Sequence, residues 1–151
     1  MKRLAQVALM LLTTFTATTG FAQNPGNAKP KQFDNYPSVI NCSEAEIAKV
    51  FGSPAGQRIT LAFSDNFNFA GDITSNIAKY DNLQSAVIKS ADFNNSIFSI
   101  SKLKNADNSI TYVGRIINRN YFDGYELKRD AQGNYKLYKI QTDRVIQSCA
   151  Q

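Results

Sequence analysis

The stretch Phe67-Asn68-Phe69-Ala70-Gly71-Asp72-Ile73-Thr74-Ser75-Asn76-Ile77 decides the fold. Its large apolar residues fall on odd positions, and most of its polar residues fall on even positions. Successive side chains of a β-strand point to opposite faces, so this alternation predicts a long strand with one buried face. At helical spacing the same residues would scatter around the cylinder. The residues predicted to point inward are Phe67, Phe69, Ile73 and Ile77.

The chain on either side of this strand predicts a mainly β, antiparallel meander of about seven strands. Turns rich in Asn, Asp and Gly separate the segments, and no intervening segment has the pattern of a crossover helix. A meander must deal with its exposed edges, which favours a small barrel or a strongly coiled sheet. A two-layer β-sandwich is the alternative. The other predicted strands are 57–63, 83–90, 97–103, 110–117, 121–127 and 135–140.

One short helix precedes the strands and is expected to pack on the sheet. Ser43-Glu44-Ala45-Glu46 has the pattern of a capping box, in which Ser43 and Glu46 bond each other's backbone amides. Gly52 is suited to end the helix. A helix this short is marginal alone, so its apolar stripe must be buried against the strands. That stripe consists of Ile47, Val50 and Phe51.

The first 22 residues predict export. Lys2 and Arg3 precede an apolar run, and Gly20 and Ala22 provide the small side chains that signal peptidase requires, with cleavage expected after Ala22. A retained membrane anchor is the alternative, but the apolar run is short for a hydrocarbon layer of about 30 Å. We therefore expect a signal peptide at 1–22 and a secreted or periplasmic protein with no membrane span after its removal.

The remainder is long enough for one domain and one core. Residues 23–41 contain three prolines and few large apolar residues, which predicts a flexible N-terminal segment before a single β-rich domain at 42–151. Removing Lys2 and Arg3 with the signal peptide lowers the formal charge from +5 to +3. This mild basicity says little about partners.

The chain has two cysteines, Cys42 and Cys149, which lie near the two ends of the predicted domain. An oxidising compartment favours a disulfide between them. Closing a loop of roughly 100 residues would stabilise the fold by about 4–5 kcal/mol in the chain-entropy model. Two buried free thiols are the alternative.

The sequence contains no histidine, which excludes Ser-His-Asp and Cys-His catalysis and zinc sites with histidine ligands. No Gly-rich phosphate loop precedes a helix, so we expect no cofactor, no metal and no enzymatic activity. A hydrolase that uses carboxylates alone remains a second alternative. The acids considered for it are Asp65, Asp72, Asp123 and Glu126, all expected in turns or on outward-facing strand positions.

Cations alternate with tyrosines in the last third of the chain, a pattern that suits binding of an anionic partner. The alternative is that tyrosines fill half-buried strand positions and lysines protect the strand edges. We expect a non-catalytic binding or interaction module for an anionic glycan, a lipid head group or an envelope protein. Nucleic acid is an unlikely partner outside the cytoplasm, and inhibition of an exported hydrolase is the first alternative function. The candidate binding residues are Arg115, Arg119, Tyr121, Tyr125 and Tyr138.

Several short runs between Ser64 and Val145 resemble an uncharacterised type of small exported bacterial β-rich domain. They are Phe69-Ala70-Gly71-Asp72-Ile73, Asn82-Leu83-Gln84-Ser85, Ile97-Phe98-Ser99-Ile100-Ser101-Lys102 and Tyr112-Val113-Gly114-Arg115-Ile116-Ile117. The resemblance rests on strand and turn residues. It implies export and a β-rich fold and brings no activity with it.

Overall fold

A computed structural model describes residues 29–142 as eight strands and one helix. Every predicted strand is present, and an additional short strand precedes the helix. The predicted signal peptide and Cys149 lie outside the described residues. The elements are β1 Val39–Cys42, α1 Glu44–Gly52, β2 Arg58–Ser64, β3 Phe67–Tyr80, β4 Leu83–Ser90, β5 Ser96–Lys104, β6 Ile110–Ile117, β7 Asp123–Arg129 and β8 Tyr135–Gln141.

The eight strands form one continuous antiparallel sheet in the order β1-β8-β7-β6-β5-β4-β3-β2. The end strands β1 and β2 approach each other, so the sheet curls into a nearly closed barrel. The prediction of a small β-barrel with one helix is confirmed. The alternative of a two-layer sandwich is wrong, because every strand except the two end strands is hydrogen-bonded on both sides within the same sheet. Within residues 29–142, no helix is long and apolar enough to cross a membrane.

The N-terminal boundary of the domain lies earlier than the sequence predicts. The segment 23–41 was expected to be flexible, yet β1 begins at Val39 and pairs with β8, and Ile40 is buried in the core. A four-residue strand held by main-chain hydrogen bonds needs no long apolar pattern. This is why composition did not reveal an eighth strand.

Residues 30–37 close one end of the barrel through Phe33, which is completely buried. The Phe33 ring lies 5.1 Å from the Tyr125 ring and 6.1 Å from the Phe67 ring, between centroids. The Asp123 carboxylate accepts hydrogen bonds from the backbone amides of Gln32 and Phe33, at 2.6 and 2.9 Å. These contacts join residues about 90 positions apart and hold the segment in the barrel opening.

Lys139 of β8 also holds this segment. Its ammonium group donates hydrogen bonds to the carbonyl oxygens of Phe33 and Tyr36, at 2.7 and 2.6 Å. The sequence pattern placed Lys139 among the surface cations of the last third. The structure instead uses its charge to satisfy backbone carbonyls, because the loop that carries them has no strand partner for them.

The long strand β3 follows the predicted alternation only in its first half. Phe67, Phe69 and Ile73 are buried, but Ile77 is 56% exposed. The pairing with β4 shifts between Ile73 and Ser75, so Thr74 is an extra residue in β3. Such a β-bulge exchanges the inner and outer faces of the residues that follow it. The prediction that Ile77 points inward is therefore wrong, and an even-numbered residue, Asn76, takes the inner face.

The inward turn of Asn76 holds the C-terminal end of α1. Its amide nitrogen lies 3.1 Å from the Val50 carbonyl oxygen and 2.8 Å from that of Ser53. Gln84 of β4 donates to the Asn76 side-chain oxygen at 2.8 Å and also to the Phe51 carbonyl. The last carbonyls of a helix lack partners within the helix, so these two amides satisfy them from the sheet.

The predicted capping box at the start of α1 does not form. Ser43 occupies the N-cap position, but its side chain makes no capping hydrogen bond. The Glu46 carboxylate accepts instead from the Ala62 backbone amide of β2 at 3.1 Å and pairs with Lys49. Ala62 borders a bulge at the edge of the sheet. The Ala62 amide therefore finds its acceptor in Glu46 of the helix, and the Glu46 side chain does not reach back to the Ser43 amide.

The bulge at Thr74 predicts opposite results for two isoleucines in the same strand. Ile73→Ala should lower the free energy of unfolding by about 2–5 kcal/mol because it empties a buried site. Ile77→Ala should change it by less than about 0.5 kcal/mol, as for an ordinary surface substitution. Chemical denaturation followed by circular dichroism measures both. Equal losses would show that the alternation continues through Thr74.

Asp123 should be essential for docking the segment that closes the barrel. Asp123→Ala leaves the amides of Gln32 and Phe33 without their acceptor and should cost about 2–4 kcal/mol of unfolding free energy. Asp123→Asn keeps one oxygen acceptor and should cost less. Asp65→Ala, which removes an exposed turn carboxylate, is the matched control. A loss no larger than that of the control would contradict the proposed docking role.

Candidate binding groove

One row of outward-facing residues crosses the barrel from strand to strand. The strand registers place Arg115 of β6 between Ser99 of β5 and Glu126 of β7. Tyr138 of β8 stands beside Glu126, at the next strand. Arg115 and Tyr138 thus lie two strand spacings apart, about 10 Å. The whole row reads Ser75, Val87, Ser99, Arg115, Glu126, Tyr138 and Val39.

Arg115 lines a groove of about 480 Å³ on this outer surface, which we call the charged groove. Gly114 beside it allows β5 and β6 to approach closely: a Cβ atom at Gly114 would lie only 2.8 Å from the Ser99 carbonyl oxygen. The pairing of β5 with β6 is regular across Gly114. A glycine within a strand predicts a bulge or sharp bend. That prediction is wrong for Gly114, which instead permits close contact between regularly paired strands. The polar residues of the groove are Lys79, Ser85, Ser99, Ser101, Arg115, Glu126 and Lys128.

Three charged side chains form a network in the charged groove. The Arg115 guanidinium donates to Oε1 of Glu126 from Nε and Nη2, at 3.1 and 2.9 Å. The Lys128 ammonium lies 2.5 Å from Oε2 of the same carboxylate. Burial raises the pKa of Glu126, but the hydrogen bonds from Lys128 and Arg115 outweigh it and leave the pKa below its ordinary value. Glu126 is therefore ionised and holds both cations in place.

Serine hydroxyls line the side of the charged groove opposite this network. The hydroxyls of Ser85 and Ser101 lie 2.9 Å apart and form a hydrogen bond across β4 and β5. Ser99 faces Arg115 across the β5–β6 pair. With Lys79 of β3 beyond them, the serine hydroxyls lie between cations, and both kinds of group donate hydrogen bonds to oxyanions.

A second groove of about 480 Å³ adjoins the first at Ser99, which lines both; we call it the amide groove. It lies where the β4–β5 and β6–β7 loops meet. The Asn118 side chain donates to the Asn94 carbonyl oxygen at 2.8 Å and joins these two loops. Ile97 and Ile117 are direct partners in the β5–β6 pair and form its apolar part. Its other lining residues are Asn94, Asn95, Asn118, Arg119 and Asn120.

The predicted binding residues are divided between these surfaces and the core. Arg115 lines the charged groove, Arg119 lines the amide groove, and Tyr138 belongs to the row that contains Arg115. Tyr121 is half-buried in the β6–β7 loop, where its carbonyl accepts a hydrogen bond from Thr142. The structure thus brings Arg115 and Tyr138 into one row and separates Tyr121 from it.

The prediction that Tyr125 contributes to a contact surface is wrong. Its side chain is completely buried and packs on Phe33, and its hydroxyl donates to the Pro37 carbonyl oxygen at 2.5 Å. Burial, together with the nearby Asp123, raises the pKa of Tyr125 to about 12. A tyrosine next to basic residues in sequence can face either side of a strand. In β7, Tyr125 alternates with the outward-facing Glu126 and has the same parity as the buried Leu127. This alternation within β7 would have predicted an inward-facing Tyr125.

Lys79 and the three serines are functional candidates that sequence reasoning missed. Lys79 is 36 positions from Arg115 in the chain, and it lines the charged groove at a second register shift, between Ala78 and Tyr80 near the end of β3. The serines alternate with apolar residues in β4 and β5, which marks them as outward-facing. Their convergence on Arg115 depends on strand register, which no local pattern encodes.

The predicted disulfide is not tested by the described residues. Cys42 lies at the end of β1 and has no disulfide partner within residues 29–142, and Cys149 lies outside the described residues. Burial raises the pKa of Cys42 to about 12, although a hydrogen bond from the Leu137 backbone acts in the opposite direction. A reduced Cys42 thiol would therefore be protonated at neutral pH. Pairing of Cys42 with Cys149 stays a prediction.

The acids considered for carboxylate catalysis do not converge where the structure places them. Asp123 was expected on the surface but is buried, because it binds backbone amides of the N-terminal segment. Glu126, three residues later, faces the opposite side of β7. Asp72 is exposed beside Arg58 of β2. Across residues 29–142, no group of three or more potential ligands is arranged to hold a metal ion.

Comparison with known proteins assigns no family to the chain: no protein-family model matches it, and no curated protein or solved structure matches it significantly. The resemblance between Ser64 and Val145 therefore stays an interpretation of the sequence.

The lowered pKa of Glu126 predicts a pH-dependent contribution to stability. The ionised carboxylate stabilises the folded state at neutral pH, and this contribution is lost as the pH falls from the ordinary glutamate value of about 4.3 through the lower folded value. Glu126→Gln should therefore unfold more readily than the parent at pH 7, and the difference should shrink towards pH 3. Denaturant unfolding across this range measures it. A difference that is constant with pH would contradict the ionic network.

Proposed function

We propose that the protein is an exported, non-catalytic binding module that holds an anionic glycan of the cell envelope in the charged groove. The observation that carries the proposal is the convergence of Lys79, Arg115 and Lys128 on one concave surface that has a single carboxylate, Glu126. The predicted signal peptide supports the location. Binding to a lipid head group or an envelope protein would use the same cations and is distinguished by experiment.

The charge balance of the groove favours an anion. Glu126 neutralises only one of the three cations that line it. The groove is concave, and its walls have low dielectric constant, which concentrates the positive field within it. Serine hydroxyls between the cations can donate to the same oxyanion without adding charge. A carboxylate or sulfate of a glycan therefore finds both attraction and hydrogen-bond donors there.

Glu126 also prepares Arg115 for binding. Two hydrogen bonds fix the guanidinium plane against the Glu126 carboxylate, so a rotamer-rich side chain is already ordered in the free protein. Ordering a side chain of this type on binding costs about 0.5–1.5 kcal/mol, and this arrangement reduces that cost. The same carboxylate competes with the ligand for both cations. We expect repulsion of the anion by this charge to exceed the gain from ordering Arg115, so that Glu126 lowers the affinity that Arg115 raises.

The two alternative functions stay predictions. A role as an inhibitor of an exported hydrolase and a role as a carboxylate-only hydrolase were both compatible with the sequence. Across residues 29–142, the charged groove supports binding of an anion more directly than either of them.

Arg115→Ala should weaken binding of a polyanionic glycan by about 5–10-fold, the effect of losing roughly 1 kcal/mol or slightly more. Polygalacturonate and a sulfated glycan are suitable probes, measured by isothermal titration calorimetry at low ionic strength. Arg58→Ala is the matched control, since Arg58 is 51% exposed against 48% for Arg115 and is also paired with carboxylates. Equal effects of the two substitutions would overturn the assignment to this groove.

Glu126→Gln provides the opposite test of the same surface. It removes the competing charge and releases Arg115 and Lys128, so affinity for the polyanions should rise and become more sensitive to salt. Titration at two salt concentrations measures both effects. Unchanged or weaker binding by a folded Glu126→Gln variant would contradict the proposal that this network receives the anion.

A further inference from the structure

We infer that the ligand is a linear acidic polysaccharide that lies along β5 and β6, with an acidic group in the charged groove and sugar hydroxyls in the amide groove. The inference rests on the proposed function and adds the ligand class and a second subsite. It follows from the continuity of the grooves, from the free hydrogen-bonding groups of the second groove, and from its lack of aromatic side chains.

The two grooves form one elongated surface. Ser99 lines both of them, and the partners Ile97 and Ile117 continue the floor of the β5–β6 pair towards the loops. From Val113 to Ile117 the strand alone covers about 13 Å at roughly 3.3 Å per residue. Arg119 lies farther along, in the β6–β7 loop. A site of this length is longer than a single sugar ring and suits a chain.

The polar groups of the amide groove are available to a ligand. Among the described residues, the side chains of Asn94, Asn95, Asn120 and Arg119 make no hydrogen bond or ion pair. Asn118, in contrast, is fully used, because its amide holds the Asn94 carbonyl and its oxygen accepts from the Asn120 backbone amide at 3.0 Å. One asparagine therefore fixes the loops while its neighbours present unused amides.

The backbone of the β4–β5 loop fixes where two of these amides lie. Asn94 and Asn95 have positive φ angles of 50° and 65°. This left-handed conformation is uncommon for residues other than glycine, although asparagine adopts it more readily than most. Hydrogen bonds between Asn94 and Ala91 and between Ser96 and Phe93 close the loop around the pair. This turn therefore fixes the backbone that carries the side chains of Asn94 and Asn95.

The chemistry of the amide groove matches sugar hydroxyls. A carboxamide donates and accepts hydrogen bonds at once, as a hydroxyl does, and Arg119 adds further donors. Binding of single-stranded nucleic acid relies on aromatic side chains that stack on the bases. Among the described residues, neither groove has an aromatic side chain in its lining. A polyanion without hydroxyls, such as polyglutamate, would use the charged groove alone.

The test compares galacturonate oligomers of increasing length with polyglutamate by calorimetric titration. Affinity for the galacturonate series should rise with length until both grooves are filled. The double substitution Asn95→Gly with Asn120→Ala should lower affinity for the longest oligomer by about 5–10-fold and leave polyglutamate binding unchanged. Glycine at position 95 tolerates the positive φ angle, so the loop keeps its conformation. Asn68→Ala, which removes an exposed amide elsewhere on β3, is the matched control.

Side-chain amide signals in nitrogen–proton correlation spectra provide a second readout. The NH2 signals of Asn95 and Asn120 should shift with the galacturonate hexamer and stay in place with polyglutamate. If both polyanions bind through Arg115 but the double variant and these signals are unaffected, the inference is overturned and the proposed function stands. If neither polyanion binds the parent protein, the proposed function fails and the inference fails with it.

Discussion

The alternation of inner and outer side chains along one continuous antiparallel ladder, interrupted only at bulges, is the constraint on which this protein depends. Because the sheet is nearly closed, each strand must place one set of residues in a narrow common interior. The same register then fixes which residues become neighbours on the outside. Ser99, Arg115, Glu126 and Tyr138 share a row for this reason alone. The core and the candidate binding surface are thus two consequences of one pairing pattern.

Both ends of the barrel are closed by polar contacts to backbone groups. At one end Asp123 accepts hydrogen bonds from backbone amides of the segment around Phe33, and Lys139 donates to the Phe33 carbonyl oxygen. These backbone groups therefore have partners although the segment pairs with no strand. At the other end the side-chain amides of Asn76 and Gln84 donate hydrogen bonds to the last carbonyl oxygens of α1. Buried backbone groups without partners are costly, so these side chains permit irregular segments to pack on the sheet openings.

The bulge at Thr74 decides which residues in the second half of β3 face the helix and which face outward. It turns Asn76 towards the helix and leaves Ile77 outside, and the strand then continues until Lys79 reaches the charged groove. Thr74 therefore accounts for the helix contact, whereas Lys79 lies at a second register shift, between Ala78 and Tyr80. The sequence contains no marker for this position, since the nearest glycine, Gly71, lies three residues earlier in a regularly paired part of β3.

The sequence by itself determined the fold class, seven of the eight strands, the helix, and the inward position of Phe67, Phe69 and Ile73. These features follow from local periodicity and turn chemistry, which act over a few residues. Tertiary structure alone decided the short strand β1, the burial of Tyr125 and Asp123, the bulge at Thr74, and the meeting of Lys79 with Arg115 and Lys128. Each of these depends on pairing between distant segments, where hydrogen-bond satisfaction and register select a face or a partner that neighbouring residues do not specify.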